Sequence, residues 1–320
     1  RASGNKTSYV DDDFANKIAT IRNAGTIAFQ RVAIKGITSL DNPNGAATNT
    51  DAVYHGDVFG FVLDSFEHLI VDAEVAGFNY RGISVKCSGS YGRTQNGRVS
   101  VLGGEYHHNK GSGLWICYTD TVEVFGGSFH HNGLLGQMGT GYGITASLAV
   151  NRCIVHAGHF YRNFCNGFDT HGCLNVTING GVFEDNALCH IALIQWGTTA
   201  ANSLFVSDEY VDIDNCTFTR GATANSRAWL DTHYTAIVAN GFKPLVQDIN
   251  VDAVLSDGTT FGTTLRSVHI GAGNKFLCNY YGGLILKDKV TSTTQFRFAA
   301  QGADVILDGT IRNAKFNAAL

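Results

Sequence analysis

The chain has 320 residues, 44% of them hydrophobic and 16% charged, with a formal net charge of −4. That suffices for a large core in one elongated domain or two compact ones. It offers nucleic acid no global basic field, and no apolar run approaches the ~20 residues that a membrane helix needs.

The 38 glycines against 2 prolines, with frequent Phe, Tyr, Val, Ile and Thr, favour strands and tight turns over helices. No signal-peptide pattern opens the sequence, and Arg1 in place of Met points to a processed product or a piece cut from a longer chain. None of the eight cysteines (Cys87, Cys117, Cys153, Cys165, Cys173, Cys189, Cys216, Cys278) forms a CxxC zinc pattern. Several sit in strand-like runs, where a free thiol acts as a small hydrophobe. Most are read as reduced, which suits folding in a cytosol.

Residues 1–50 read as an irregular lead-in or cap. The run Asp11–Asp13 suits a solvated turn or helix start, with calcium binding as the alternative. "DNPNGAATNTD" is a loop, and residues 51–245 carry a repeat. Six segments align on one aromatic residue: Phe78, Tyr106, Phe129, Phe160, Phe183 and Phe218. Seven and five residues earlier stand small or branched apolar residues: Val71/Ala73, Val99/Val101, Val122/Val124, Cys153/Val155, Val176/Ile178 and Val211/Ile213. This is strand alternation.

Asn109, Asn132, Asn163 and Asn186 each follow an anchor by three residues. A second short strand comes next, with Leu114, Ile144, Phe168 and Ile191 inward. The anchors are 28, 23, 31, 23 and 35 residues apart. A unit of about 23 residues with several short strands and no helix pattern predicts an all-β, single-stranded parallel β-helix, a solenoid. The alternative is a sandwich with coincidental spacing. In the solenoid, equivalent residues stack at ~4.8 Å and the four Asn form a ladder. Residues 246–320 read as further coils or a C-terminal β module, because "GGLILKD", "TQFRFAA" and "DVILDGTIRN" still look like strands.

Two coils carry insertions, at 133–142 and 195–209, flanking the compact coil that contains "NGFDTHG" at 166–172. With Phe168 inward, Asp169 and His171 face out, Cα atoms ~6.5–7 Å apart. Thr145 and Ser147 are their equivalents one coil back, Trp115 and Cys117 two coils back, Ala192 and Ile194 one coil forward; Tyr142 aligns with Asn166. An acid, an imidazole, hydroxyls and aromatics on one face, between loop walls, suit a sugar chain.

After the anchors comes a second row: His107/His108, His130/His131, Tyr161/Arg162 and Glu184/Asp185. Surface charge pairing explains most of it. A metal at His107 and His130 lacks an evident third ligand. Asp169, His171, Arg162, Tyr142, Glu184 and Asp185 are the candidate catalytic residues. Trp115, Thr145, Ser147, Tyr161, His131 and Trp196 are the candidate substrate contacts. No metal or other cofactor is called for, calcium being the one alternative.

On these residues the chain resembles the right-handed parallel β-helix proteins that act on polysaccharides: pectate-lyase-like enzymes, uronan C-5 epimerases and bacteriophage tailspike depolymerases. "GFDTH" is similar to the Gly-Phe-Asp-Pro-His core of alginate C-5 epimerases, which implies active-site roles for Asp169 and His171. Thr170 replaces the Pro, Gly172 an acid and Asn166 a catalytic Tyr, and Arg162 is the nearest basic residue to stand for the Lys. "NTDAVYHGD" at 49–57 faintly resembles the Asn-Thr-Asp motif of polygalacturonases. The resemblance implies the right-handed, pectate-lyase-like form of the solenoid. It also implies a homotrimeric virion spike made in a reducing cytosol and working outside the cell, with no nucleic-acid or membrane partner.

Three functions follow as expectations. In a uronate lyase, His171 would take the C5 proton, Arg162 or a protonated Asp169 would neutralise the carboxylate, and Tyr142 or Tyr161 would protonate the leaving oxygen. An epimerase would use the same set. A hydrolase would need a carboxyl pair, ~5–5.5 Å apart for retention and ~6.5–9.5 Å for inversion. Asp169 with Glu184, Asp185, or Asp208 and Glu209 from the insertion would supply it. A non-catalytic glycan-binding spike is the third.

Overall fold

The computed structural model describes residues 17–22, 25–35, 59–78, 80–87, 95–137, 140–194, 210–242, 246–253, 267–271, 273–279, 284–288, 299–300 and 303–307. The described chain is all-β with one helix, and its strands form long parallel stacks. In the first stack, Leu69, Val99, Val122, Cys153, Val176, Val211, Val268 and Val305 stand in register. The second aligns Val75, Tyr106, Phe129, Phe160, Phe183, Phe218 and Phe276. The third aligns Phe61, Ile83, Leu114, Ile144, Phe168, Ile191, Ile249 and Leu284.

The chain visits the three stacks in the same order on successive passes, a pattern compatible with a β-helix solenoid. Parallel pairing needs a long return connection, and here each return is the rest of the pass. The one antiparallel pairing among the described residues joins Ala299–Ala300 to Ala303–Leu307.

Stacking makes the core. The rings of Tyr106, Phe129, Phe160, Phe183, Phe218 and Phe276 lie 4.7–5.3 Å apart and within 20° of parallel. Each ring leaves water by covering its neighbours, a nonlocal burial that no single pass could achieve.

At the next corner the asparagines form the ladder. Asn109 Nδ2 donates to Asn132 Oδ1 at 3.0 Å, Asn132 to Asn163 at 3.0 Å, and Asn163 to Asn186 at 2.9 Å. The second proton of each amide goes to a backbone carbonyl one pass back: Val75, Tyr106, Phe129 and Phe160 for Asn109, Asn132, Asn163 and Asn186. All four side chains are fully buried, so complete pairing is what keeps them affordable.

Three features differ from expectation. Val75, not Phe78, occupies the aromatic position of the first coil. Phe78 sits at the ladder position, its N–H donating to Asn109 Oδ1 at 3.1 Å. A register shift of one residue between Val71 and Asp72 brings the anchor closer to its apolar pair in this coil, and Leu69 and Val71, not Val71 and Ala73, match Val99 and Val101. Within the stretch read as irregular, Lys17–Arg22 and Thr26–Lys35 are strands paired with Phe59–Asp64 and His68–Ala76. A left-handed residue, Arg31, switches the alternation of the second strand midway and hides its period. Strands paired with the earlier passes continue beyond residue 246, through Gln247–Ala253 to Ala303–Leu307.

The third difference is the helix Ala224–Ala239 (α1), inserted between the second and third stacks of one pass. Thr223 caps it, accepting from Ser226 N at 3.1 Å. Its buried face is Ser226, Leu230, His233 and Ile237. Two of those four are polar, so the helical period was invisible to an apolar count.

Candidate functional site

The third stack points two rows of side chains away from the core. One row holds Ser84, Trp115, Thr145, Asp169, Ala192 and Asn250; the other includes Cys117, Ser147 and His171. The alignment of Asp169 with Thr145 and of His171 with Ser147 matches the spacing in the sequence.

The expected open groove is absent there. Thr145, Ser147 and Asp169 have no exposed surface, Trp115 and Tyr142 are buried, and His171 is 8% exposed. These rows adjoin a second apolar cluster comprising Trp115, Cys117, Tyr118, Tyr142, Cys165, Leu188 and others. Ile237 of α1 belongs to it, with Phe242 and Val246 packed against it. A polar outward row reads as solvated until a distant segment covers it.

Within this layer the acid and the imidazole meet. His171 Nε2 lies 3.3 Å from Asp169 Oδ2, and Asn166 Nδ2 donates to Asp169 Oδ1 at 2.7 Å. Asn166 bonds one carboxylate oxygen and His171 stands at ion-pair distance from the other, so the relay Asn166–Asp169–His171 is built from one strand. The His171 ring sits edge-on to Tyr142 at 5.9 Å and 6.2 Å from Trp115. Trp115 Nε1 donates to Cys117 Sγ at 2.6 Å, and burial pushes that thiol up to about 12.

Arg81 is the cation here, one that sequence reasoning missed. It is 3% exposed, its guanidinium lies 3.2 Å over the Trp115 ring, and Nη2 donates to the Tyr80 hydroxyl at 2.7 Å. The signal was available: Arg81 precedes Gly82-Ile83, and Ile83 registers with Leu114, two coils before Phe168.

Arg162, Tyr161, Glu184, Asp185 and His131 stand elsewhere, on the second stack and its corner. Glu184 pairs with His159 at 3.3 Å. Asp185 is fully buried, accepts from Gly221 N at 2.8 Å and from the Ser226 hydroxyl, and lies 3.9 Å from Arg162. It therefore braces the start of α1. Neither acid shares the face of Asp169, so neither forms the carboxyl pair with it that a hydrolase would need. Tyr161 stacks on His130 and His159 at 4.4 and 4.3 Å; burial, then Glu105 and Glu184, raise its phenol. Trp196, Asp208, Glu209, Asp11–Asp13, the 49–51 motif and the insertion 195–209 lie outside the described residues.

The corner itself forms a pocket of about 490 Å³. His108, His131 and Phe164 line one side, Trp229 and His233 of α1 another, and Leu135 of the insertion at 133–142 a third. Gly133 and Gly141 pinch the insertion shut: a Cβ on Gly133 would meet Gly141 Cα at 2.5 Å and Phe164 Cβ at 2.7 Å. Asn240, the C-cap of α1, ties the loop down by donating to Gly136 O at 2.9 Å.

Among the described residues, no three His, Cys, Asp or Glu side chains are grouped to hold a metal ion, His107 and His130 included. Among the described residues, seven cysteines are buried and form no disulfide. No helix of the described residues is long and apolar enough to cross a membrane. Compared with known proteins, the chain matches no family model, no curated protein and no solved structure.

Proposed function

We propose that this protein is a right-handed parallel β-helix depolymerase of bacterial surface or extracellular polysaccharide, resembling a phage tailspike and acting as a uronate-directed lyase. The observation that carries the reading is the Asn166–Asp169–His171 relay. A buried carboxylate beside an imidazole that keeps 8% of its surface exposed is the logic of an activated base.

In this reading Asp169 accepts the Nε2 proton of His171, which leaves Nδ1 as the base for the C5 proton of a uronate. The Tyr142 phenol, beside the same ring, donates to the leaving oxygen. Arg81 supplies the positive charge that steadies the substrate carboxylate as its α-proton leaves. Base and acid side by side suit elimination, and no cofactor is invoked. A homotrimeric spike outside the host is the assembly and location that accompany this proposal.

A second reading has its own observation. The full burial of Asp169, Thr145 and Ser147 favours a spike that binds glycan without cleaving it, the relay serving as a brace. Incubation with a panel of acidic and neutral bacterial polysaccharides separates the two, following unsaturated-uronate absorbance and reducing ends together. Both signals rising supports the lyase. Reducing ends alone would overturn it in favour of hydrolysis. Neither signal on any glycan that binds would leave the binding spike.

A further inference from the structure

The corner pocket is built with more care than a packing defect requires. His108, His131, Arg162 and Asp185 occupy equivalent corner positions on four passes, with φ of 53°, 52°, 49° and 50°. Each costs on the order of 1 kcal/mol relative to Gly. Side chains are therefore held at a corner where the backbone would prefer none, and the two imidazoles of the row line the pocket.

Hydrogen bonding fixes what those rings present. Glu105 accepts from His130 Nε2 at 2.8 Å, which leaves the lone pair of His130 on Nδ1. His131 Nδ1 lies 2.8 Å from that atom and must donate to it. The lone pair of His131 thus stays on Nε2. Opposite, His233 Nδ1 donates to Trp229 O at 2.8 Å, so its Nε2 also carries a lone pair. That Nε2 is buried without a hydrogen-bond partner in a side chain only 5% exposed. A buried acceptor left unmet costs roughly 1–3 kcal/mol, and a ligand donor would recover it.

The rings are uncharged at neutral pH. Burial, then the neighbouring His130, His108, Arg162 and His107, hold His131 down at about 3. Burial, opposed by the bond to Trp229, holds His233 at about 4. Two rings stand in the remaining wall beside Leu135, Ala228 and Thr232, with Phe164 packed 4.5 Å from His233 and Trp229 stacked 3.9 Å from it.

From this juxtaposition we infer that the corner pocket is a second, non-catalytic site for a neutral sugar ring. The C–H face of a pyranose packs on Trp229 and Phe164, and its hydroxyls donate to Nε2 of His131 and His233. The volume lies within the roughly 300–1,000 Å³ of small-molecule sites. An anion would face lone pairs instead of donors. A cation would find no carboxylate in the lining and Arg162 next to His131 in the corner row. The inference stands apart from the lyase reading, because it uses none of Asn166, Asp169, His171 or Arg81.

The test is imidazole NMR on protein labelled with ¹⁵N in its histidine rings, titrated with D-glucose, D-galactose and L-fucose, and separately with D-glucuronate and Zn²⁺. At millimolar concentration a neutral hexose is expected to shift the Nε2 signals of His131 and His233 together. Glucuronate should bind at least about tenfold more weakly. Trp229→Ala, with Trp229→Leu as the milder variant, should abolish the shift while leaving the remaining histidine signals in place. Sugar-independent signals, equal shifts in the Trp229 variants, or a response to Zn²⁺ alone would overturn the inference, the last assigning a metal site instead.

Discussion

Replacing Asn163 by Ala tests how the parallel stacks are held together. The side chain gives two hydrogen bonds, to Phe129 O and Asn186 Oδ1, both at 2.9 Å. It accepts two more, from Asn132 N at 3.3 Å and Asn132 Nδ2 at 3.0 Å. Truncation leaves those two Asn132 donors stranded in a corner with no exposed surface. At ~1–3 kcal/mol for each stranded group, the loss is roughly 2–6 kcal/mol. That is a large part of the ~5–15 kcal/mol that a domain holds in reserve. Urea unfolding gives the loss as the shift in midpoint multiplied by the slope. Asn163→Asp should be worse than Ala, because it keeps the acceptors, removes both donors and buries a charge. A loss below about 0.5 kcal/mol, the range of a neutral surface change, or an Asp variant as stable as the natural chain, would refute the reasoning.

Other outcomes follow from the same geometry. Phe160 stacks at 4.8 Å on both Phe129 and Phe183, so Phe160→Ala should cost about 3–5 kcal/mol in the same urea assay, with Phe160→Leu losing less. Gly133→Ala should lower the melting temperature by the equivalent of more than ~1 kcal/mol, since φ is +111° and the new Cβ collides with Gly141 and Phe164; an unchanged melt would mean the loop is not pinched there. Acid should destabilise the fold between pH 6.5 and about 4. His108 and His233 are held at about 4 when folded and His131 at about 3. The unfolded chain binds more protons in that window, so stability is full above 6.5 and falls as pH drops towards the folded values. His233 alone, being buried, contributes up to ~3 kcal/mol of this, and urea midpoints for His233→Leu should show a shallower slope by about one proton.

Much of the scaffold was legible because its signals are periodic. The apolar pairs from Val99/Val101 to Val211/Ile213 and the rings from Tyr106 to Phe218 repeat at fixed offsets, and their parallel register follows them. The four asparagines stood out because buried Asn is affordable only in a ladder. Phe78 misled because a bulge, which leaves no mark in composition, shifted the first coil. The helix escaped because His233 and Ser226 occupy half of its buried face. Arg162, Glu184 and Asp185 lie within one coil of Asp169 in sequence, yet the corner turns them onto another face, and only the three-dimensional path separates them. Arg81 was overlooked because its partner, Trp115, comes from the next coil. The cover over Asp169 and His171 was illegible for a related reason: Ile237 and Phe242 reach that face from some seventy residues away.

The most direct test of the lyase reading is the rate of unsaturated-uronate formation by His171→Ala on a polysaccharide that the natural protein cleaves. The relay predicts a fall of about 10²–10⁴-fold in protein shown to be folded by its urea transition, whose midpoint falls because Asp169 loses its buried partner. An unaltered rate would contradict a base at His171 and return the relay to a structural role.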